Sequence, residues 1–236
     1  MGKDQGEAEK EPVSRTVRFS SKDDLLITAD LYLVPGARGF MLLCHRSHFN
    51  RGEYRETAAK LNLLGFSCMA IDQRSGMNVL GVINETYGQA RRKGLKTGYL
   101  DARPDIEAAI DYAYCQNGRR PIILVGSSYS ASLALLISVR NPRVKTVVAF
   151  SPGDYLKGNK LAESLRDLKK PVYVTSAKKE IAETTRLMKH VSKEYVTRYK
   201  PKAEGAHGSR VLWGKTEGNE EYWKPLAEFL NDLAGQ

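Results

Sequence analysis

Short apolar runs of strand length alternate along the chain with segments whose apolar residues recur at helical spacing. Continuous apolar runs occupy residues 39–45 (GFMLLCH), 66–72 (FSCMAID) and 121–127 (PIILVGS). Runs of this kind are typical of strands that are buried on both faces of a sheet. Residues 53–64, between the first two runs, have helical spacing and are followed by a glycine that ends the helix. This alternation predicts a mostly parallel sheet with helices on both faces.

Five further strands complete the predicted sheet. Residues 16–20 and 25–34 have strand character and are separated by the turn sequence SSKDD, which predicts an antiparallel hairpin. Strands are also predicted at 144–151, 171–176 and 195–199, each after a helical segment. The expected fold class is therefore α/β, with a central sheet of about eight strands. Since ligands bind beyond the carboxyl ends of such strands, we expect the chemistry in the loops that follow them.

The domain organisation predicted from length is simple. A chain of 236 residues can form one substantial core, so we expect a single domain at residues 15–236 after a flexible tail at residues 1–14. Residues 73–98 are longer than a usual connection in this kind of fold. This segment contains five glycines and a basic cluster, and we expect it to be a lid over the site. A merely tolerated insertion is the alternative.

Composition and charge exclude several functional classes. No apolar run approaches the roughly 20 residues of a membrane helix, so we expect no membrane partner and a cytoplasmic protein, with removal of an export signal as the alternative. The net charge is +10, but basic and acidic residues are interleaved and no nucleic-acid-binding module is recognisable, so we expect no nucleic-acid partner. Three cysteines without zinc spacing indicate free thiols and no metal site. Nothing in the pattern requires a cofactor, and the oligomeric state stays open.

Candidate chemistry begins in the stretch VGSSYSASL, which lies between a predicted strand and a predicted helix. The pentapeptide Gly126 to Ser130 reads GSSYS and is similar to the G-x-S-x-G pattern. In that pattern a sharp turn lifts the central serine above the edge of the sheet, and the flanking residues are small because strand and helix backbones approach closely. Ser128 is the candidate nucleophile. A phosphate-binding turn or a simple helix cap is the alternative.

A serine hydroxyl needs a base and an orienting acid to become a good nucleophile. His207 lies in the loop sequence AEGAHGSR after the last predicted strand, which brings it to the same edge of the sheet as Ser128. For the acid we favour Glu180, the first carboxylate beyond the strand at 171–176, over Asp154, which follows the preceding strand. The oxyanion of the reaction also needs backbone donors. The N–H groups of Tyr129, after the nucleophile, and Arg46, in the loop after the third strand, are the candidates.

With these motifs the chain resembles the α/β-hydrolase superfamily, and within it the dienelactone-hydrolase-like group of small hydrolases. The resemblance rests on five stretches: His45 with its loop, IDQRSG at 71–76, GSSYS at 126–130, PVYVTSAKKE at 171–180 and GAHG at 205–208. It implies the α/β-hydrolase fold and the chain order serine, acid, histidine. It also implies hydrolysis of a small carboxylic ester or lactone through an acyl-enzyme, without a cofactor.

The chain departs from the dienelactone hydrolases at two places. Those enzymes have a cysteine where this chain has Ser128, and the loop after His45 continues with Arg46, Ser47 and His48 instead of the common glycines. We therefore expect a serine esterase with a Ser128, His207 and Glu180 triad. The alternative is a non-catalytic protein that keeps the fold and binds a small molecule.

Overall fold

A single sheet of eight strands forms the centre of the protein, as described by a computed structural model of residues 14–233. The flexible tail expected at residues 1–14 lies outside these residues, apart from Ser14, which begins the first strand. The strands are β1 (Ser14–Ser20), β2 (Leu26–Tyr32), β3 (Gly39–Cys44), β4 (Phe66–Ile71), β5 (Ile122–Ser127), β6 (Val144–Phe150), β7 (Val172–Thr175) and β8 (Val196–Arg198).

The strand order in the sheet is β1-β2-β4-β3-β5-β6-β7-β8. Strand β2 pairs antiparallel with β1 and with β4, and all the other neighbours pair in parallel. The predicted hairpin is formed by β1 and β2, and the predicted mostly parallel sheet of eight strands is confirmed. Edge strand β8 is only three residues long and, within the described residues, pairs with β7 alone.

Seven α-helices cover the two faces of the sheet in the described part of the chain. They are α1 (Arg55–Leu63), α2 (Glu85–Arg92), α3 (Arg103–Gln116), α4 (Tyr129–Ser138), α5 (Leu161–Ser164), α6 (Ile181–Leu187) and α7 (Asn219–Asp232). Because side chains alternate along a strand, Leu42 of β3 belongs to the core that includes residues of α2 to α6. Met41 and Leu43 belong to the core that includes residues of α1 and α7. The continuous apolar run of β3 thus fills two cores.

The long connection after β4 is packed against the body of the domain. Its helix α2 buries Thr86 and Ala90, and the Thr86 hydroxyl accepts a hydrogen bond from the backbone N–H of Thr28 in β2 (3.0 Å). Upstream of α2, the Asn50 amide donates to the carbonyl oxygens of Met77, Val79 and Val82 at 3.1, 2.8 and 3.1 Å. These contacts pack residues 77–90 of the connection against the rest of the fold. The role of this segment as a lid stays a prediction.

A buried ion pair anchors the start of this connection. The Arg74 guanidinium binds Asp105 of α3 (Nη2 to Oδ1, 2.6 Å) and also Asp23, in the turn between β1 and β2 (Nη1 to Oδ2, 2.7 Å). Burial raises the pKa of Asp105 to about 6, although hydrogen bonds and charge from Arg74 oppose the shift. Arg74 therefore ties together three segments that are distant in the sequence.

We predict that Asp105→Asn lowers the free energy of unfolding by about 3 kcal/mol, because it leaves the buried Arg74 charge without its closest partner. Urea unfolding followed by far-ultraviolet circular dichroism measures the change. The matched control is Asp111→Asn, which breaks the ion pair of the exposed Asp111 and Arg143 side chains and leaves the midpoint almost unchanged. Equal midpoint shifts in the two variants would contradict the anchoring role of Arg74.

Candidate active site

The turn between β5 and α4 places Ser128 at the carboxyl edge of the sheet. Ser128 has φ +61° and ψ −125°, a strained conformation for a residue with a side chain. A Cβ atom on Gly126 would lie 2.5 Å from the backbone nitrogen of Ala131, so only glycine permits this approach of strand and helix. A hydrogen bond from the Ser128 N–H to the carbonyl oxygen of Phe150 in β6 (2.8 Å) stabilises this conformation.

Three of the predicted site residues meet in a continuous chain of hydrogen-bond contacts. The Ser128 hydroxyl lies 2.7 Å from His207 Nε2, and His207 Nδ1 lies 2.6 Å from Glu180 Oε1. Glu180 follows β7 and His207 follows β8, so both reach the edge at which Ser128 lies. The competing acid Asp154 is exposed, and its backbone N–H is directed at Glu183 instead (3.2 Å to Oε1). The geometry favours Glu180 over Asp154.

The environment of Glu180 favours its charged form. Burial raises the pKa of this carboxyl, but hydrogen bonds from His207 and Ser151 act in the opposite direction, and the pKa lies below its usual value. The backbone N–H of Ala177 also donates to Glu180 Oε2 (3.1 Å). The carboxylate is therefore an acceptor only, which suits a group that orients the Nδ1–H of His207.

Ser151 supports the same carboxylate and was missed by the sequence analysis. Its hydroxyl donates to Glu180 Oε2 (2.6 Å) and accepts from the backbone N–H of Gly208 (2.9 Å), the residue after His207. Ser151 is buried and has φ +51°, a strained conformation. The signal in the sequence is its position directly after β6, at the same edge as Ser128.

The two predicted oxyanion donors have different surroundings. Tyr129 is the first residue of α4, so its backbone N–H has no acceptor within the helix and is available to a ligand at the helix N-terminus. The backbone N–H of Arg46 donates to Glu53 Oε2 at 2.9 Å. One candidate donor is thus available, whereas the other already has a buried carboxylate as its acceptor.

Aromatic and basic side chains lie near His207 and in the loop after β3. The Tyr155 ring lies edge-on to the His207 ring, with 6.4 Å between the centroids. The guanidinium groups of Arg46 and Arg210 both lie over the Phe49 ring, at 5.1 and 5.8 Å from its centroid. Burial and the charge of Arg210 lower the pKa of Arg46. Two guanidinium groups therefore share the Phe49 ring, and Arg210 is the third residue after His207.

His45 holds the loop that begins after β3. Its Nε2 accepts a hydrogen bond from the backbone N–H of Gln73 (2.9 Å), so the ring proton lies on Nδ1 and is donated to the carbonyl oxygen of Arg46 (2.7 Å). His45 is fully buried, and burial lowers its pKa to about 4. It is a neutral structural histidine that joins the loops after β3 and β4.

The described part of the chain has neither a candidate metal site nor a membrane-spanning helix. The described residues contain no group of three or more His, Cys, Asp or Glu side chains that could hold a metal ion. Among residues 14–233, no helix combines the length and apolar character that a membrane crossing requires. The free thiols of Cys44 and Cys68 are buried in strands, and Cys115 is exposed.

The sequence of residues 35–209 matches the family model described as serine aminopeptidase, S33 (Hydrolase_4). The match spans well over half of the chain and includes every candidate site residue. The chain belongs to this family of hydrolases. The α/β-hydrolase fold and hydrolase class predicted from the sequence are therefore confirmed. No curated protein matches the chain in sequence.

Solved structures show the same fold over almost the whole chain. A dienelactone hydrolase from Anabaena variabilis has a TM-score of 0.71 and 17% identity, covering 94% of this chain and 98% of that one. An esterase from Pyrococcus furiosus has a TM-score of 0.68 and 16% identity, with coverages of 93% and 92%. A thermostable carboxyl esterase from Bacillus coagulans has a TM-score of 0.69 and 11% identity, with coverages of 94% and 99%.

We predict that His45 makes the stability of this hydrolase depend on pH. The unfolded histidine has a pKa of about 6.5, whereas the folded one has a pKa of about 4, so the unfolded state binds more protons between these values. The stability that His45 contributes is present above pH 6.5 and is lost as the pH falls towards 4, by about 3 kcal/mol in total.

Urea unfolding of wild type and His45→Gln between pH 4 and 8 measures this contribution. The difference in unfolding free energy between the two proteins should shrink as the pH falls from 6.5 to 4. Other titrating groups, such as Asp72, whose pKa is raised to about 6 by burial, are present in both proteins and cancel in the difference. A difference that stays constant over the whole range would show that folded His45 accepts a proton readily.

Proposed function

We propose that this hydrolase cleaves a small carboxylic ester or lactone through an acyl-enzyme, with Ser128 as nucleophile, His207 as base and Glu180 as orienting acid. The observation that carries the proposal is the chain of contacts from Ser128 Oγ to His207 Nε2 (2.7 Å) and from His207 Nδ1 to Glu180 Oε1 (2.6 Å). The strained backbone at Ser128 and the chain order serine, acid, histidine support it.

In the acylation half of the proposed reaction, Ser128 Oγ attacks the carbonyl carbon while His207 Nε2 takes the hydroxyl proton. A bond forms between Oγ and carbon, and the carbonyl oxygen becomes negatively charged. When this intermediate collapses, the bond from carbon to the leaving oxygen breaks, and His207 gives its proton to that oxygen. Glu180 keeps Nδ1 protonated and stabilises the imidazolium that forms in between.

In the deacylation half, a water molecule attacks the acyl-enzyme and gives a proton to His207 Nε2. The bond between the acyl carbon and Ser128 Oγ then breaks, and the proton returns to Oγ. The product acid leaves, and the enzyme is restored. For a lactone, the alcohol and the acid are parts of one product, so a single ring-opened hydroxy acid is released.

The proposed oxyanion donors are the backbone N–H groups of Tyr129 and Arg46. Loss of one such donor costs about a hundredfold to a thousandfold in rate. To act as a donor in the reaction, the Arg46 N–H must share its hydrogen between Glu53 and the oxyanion. Tyr129 is therefore the principal donor in this proposal.

The similar structures support an ester as the substrate class. They include an esterase, a carboxyl esterase and a dienelactone hydrolase, and the dienelactone hydrolase favours inclusion of lactones in the substrate screen. We infer a small-molecule substrate with no nucleic-acid partner. The rival function is binding of a small molecule without catalysis, and the labelling experiment below separates the two.

We predict that a fluorophosphonate adds once to the wild-type protein and not to Ser128→Ala, because only an activated serine displaces its fluoride. Intact mass spectrometry measures the adduct, and hydrolysis of short p-nitrophenyl esters should be abolished in the same variant. Ser138→Ala is the matched control: Ser138 is a buried serine of the adjoining helix α4, and its hydroxyl has no hydrogen-bond partner within the described residues. It should label like wild type.

Two results would contradict the proposed function. Undiminished ester hydrolysis by Ser128→Ala would remove this serine from the mechanism. Absence of an adduct on the wild type, together with a tight non-covalent small-molecule ligand, would favour the non-catalytic binding protein.

We predict that Ser151→Ala lowers kcat for ester hydrolysis by about tenfold to a hundredfold. A hydrogen bond to a charged group contributes about 1.5–3 kcal/mol, and this one orients Glu180, which in turn holds His207. KM should change little, because the Ser151 hydroxyl bonds to Glu180 and to the Gly208 N–H and has no part in acyl binding in this proposal. Steady-state kinetics with a p-nitrophenyl ester measure both constants, with Ser138→Ala again as the control. A change in KM alone would contradict this role.

A further inference from the structure

Glu53 is a fully buried carboxylate whose hydrogen-bond donors all come from the loops of the candidate site. It lies in a short 3-10 turn at Arg51–Tyr54, directly before α1. Its Oε1 accepts from the hydroxyls of Ser127 (2.7 Å) and Ser209 (2.5 Å), and its Oε2 accepts from the backbone N–H of Arg46 (2.9 Å). One carboxylate thus connects the nucleophile turn, the histidine loop and the loop after β3.

These contacts lie immediately beside the reacting groups. Ser127 precedes Ser128, and Ser209 is the second residue after His207. The Ser127 hydroxyl also accepts a hydrogen bond from the backbone N–H of Ser209 (2.9 Å), so the nucleophile turn and the histidine loop are joined twice. A shift of the Glu53 carboxylate would therefore change the distance between Ser128 and His207.

Packing alone does not explain a carboxylate at this position. Burial raises the pKa of Glu53, and hydrogen bonds from Ser209, Arg46 and Ser127 oppose the shift. Among residues 14–233, no Lys, Arg or His side chain forms an ion pair with it. The charge of Arg46 also opposes the shift, although the two side chains form no ion pair. Burying a charge without a directly paired cation destabilises a protein. We therefore look for a role of the Glu53 carboxylate in the three hydrogen bonds that it accepts.

We propose that Glu53 is a positioning residue that aligns His207 with Ser128 and holds the Arg46 N–H at the edge of the site. This inference rests on the proposed function, because the aligned pair is the proposed catalytic pair. Glu53 acts through Ser127, Ser209 and the Arg46 backbone, and its hydrogen bonds are made to these three residues and not to the Ser128 hydroxyl.

The variant Glu53→Gln separates alignment from stability. Glutamine has the same shape, but its NH2 group cannot accept a hydrogen bond, so at least one of the three donors loses its acceptor. At the same time a buried charge is removed. The expected result is a kcat lower by about tenfold to a hundredfold, with KM within about threefold of wild type, and a Tm equal to or above that of wild type. A merely structural role would lower Tm and leave kcat per folded molecule unchanged.

Ser209→Ala and Ser127→Ala provide a second test that keeps the charge. Each removes one donor of the Glu53 carboxylate, and each should lower kcat in the same direction as Glu53→Gln. Because both serines act through one carboxylate, the double variant should lose less than the product of the two single effects. If Glu53→Gln does not fold, these variants still test the proposal, and full activity in both would overturn it.

The experiment compares wild type, Glu53→Gln and the matched control Glu56→Gln. Glu56 lies one helical turn further on, is exposed and accepts from the backbone N–H of Gly214. Three quantities are measured for each protein: kcat and KM with a p-nitrophenyl ester, the rate of fluorophosphonate labelling, and the proton NMR signal of the His207 Nδ1–H. This hydrogen is strongly deshielded when it is held in a short bond to Glu180. We expect the control to match wild type and Glu53→Gln to lose labelling rate and this signal.

The NMR signal distinguishes failure of this inference from failure of the proposed function. Suppose that the wild type is active. If Glu53→Gln then has the same labelling rate and the same His207 signal as the wild type, the positioning role is overturned. If wild type neither labels nor hydrolyses esters, the proposed function fails. The positioning role is then still supported if the His207 signal disappears in Glu53→Gln, and it is overturned if the signal persists.

Discussion

The close approach of β5 and α4 at Gly126 is the constraint on which the site depends. With no side chain at Gly126, the helix backbone passes within contact distance of the strand, and the chain must turn within one residue. That residue is Ser128, in a left-handed conformation that costs free energy. Its neighbours hold it there through the parallel ladder to β6 and the bond to the Phe150 carbonyl oxygen. The strained conformation of the proposed nucleophile is thus a consequence of how closely β5 and α4 pack.

The crowding of serines around this turn follows from the same packing. Where strand, helix and loops meet there is little volume, but there are backbone groups and carboxylates that need partners. A serine is small and can donate and accept at once. Each hydroxyl has its own partner: Ser127 bonds to Glu53, Ser128 lies against His207, Ser130 bonds to the Cys44 carbonyl oxygen, and Ser132 bonds to the Gly153 carbonyl oxygen. Ser151 and Ser209 extend this pattern to the acid and to the histidine loop.

The pattern of apolar and polar residues along the chain predicts the strands and helices of the fold. It also leads to the three residues of the proposed triad. The buried strands were recognisable from apolar runs, and parallel topology then brought the ends of β5, β7 and β8 to one edge. Glu53 was not recognisable, because in the sequence it is one acidic residue near a helix start, and its role depends on Ser209, which is 156 positions away. The acceptor of the Arg46 N–H was missed for the same reason. Long-range contacts between buried polar groups have no periodic signature, unlike the faces of strands and helices.

Edge strand β8 affects how this protein responds to heating. The proposed nucleophile follows a central strand with neighbours on both sides. The proposed base comes after three residues that, within residues 14–233, are paired on one side only. Segments with few ladder bonds open at lower free energy than the core of a sheet. His207, however, lies well beyond the end of β8, and its own loop is held by hydrogen bonds from Gly208 to Ser151 and from Ser209 to Ser127 and Glu53. We therefore expect β8 to fray at lower temperature than the site opens, with the contacts of the His207 loop broken only in the cooperative melting of the sheet.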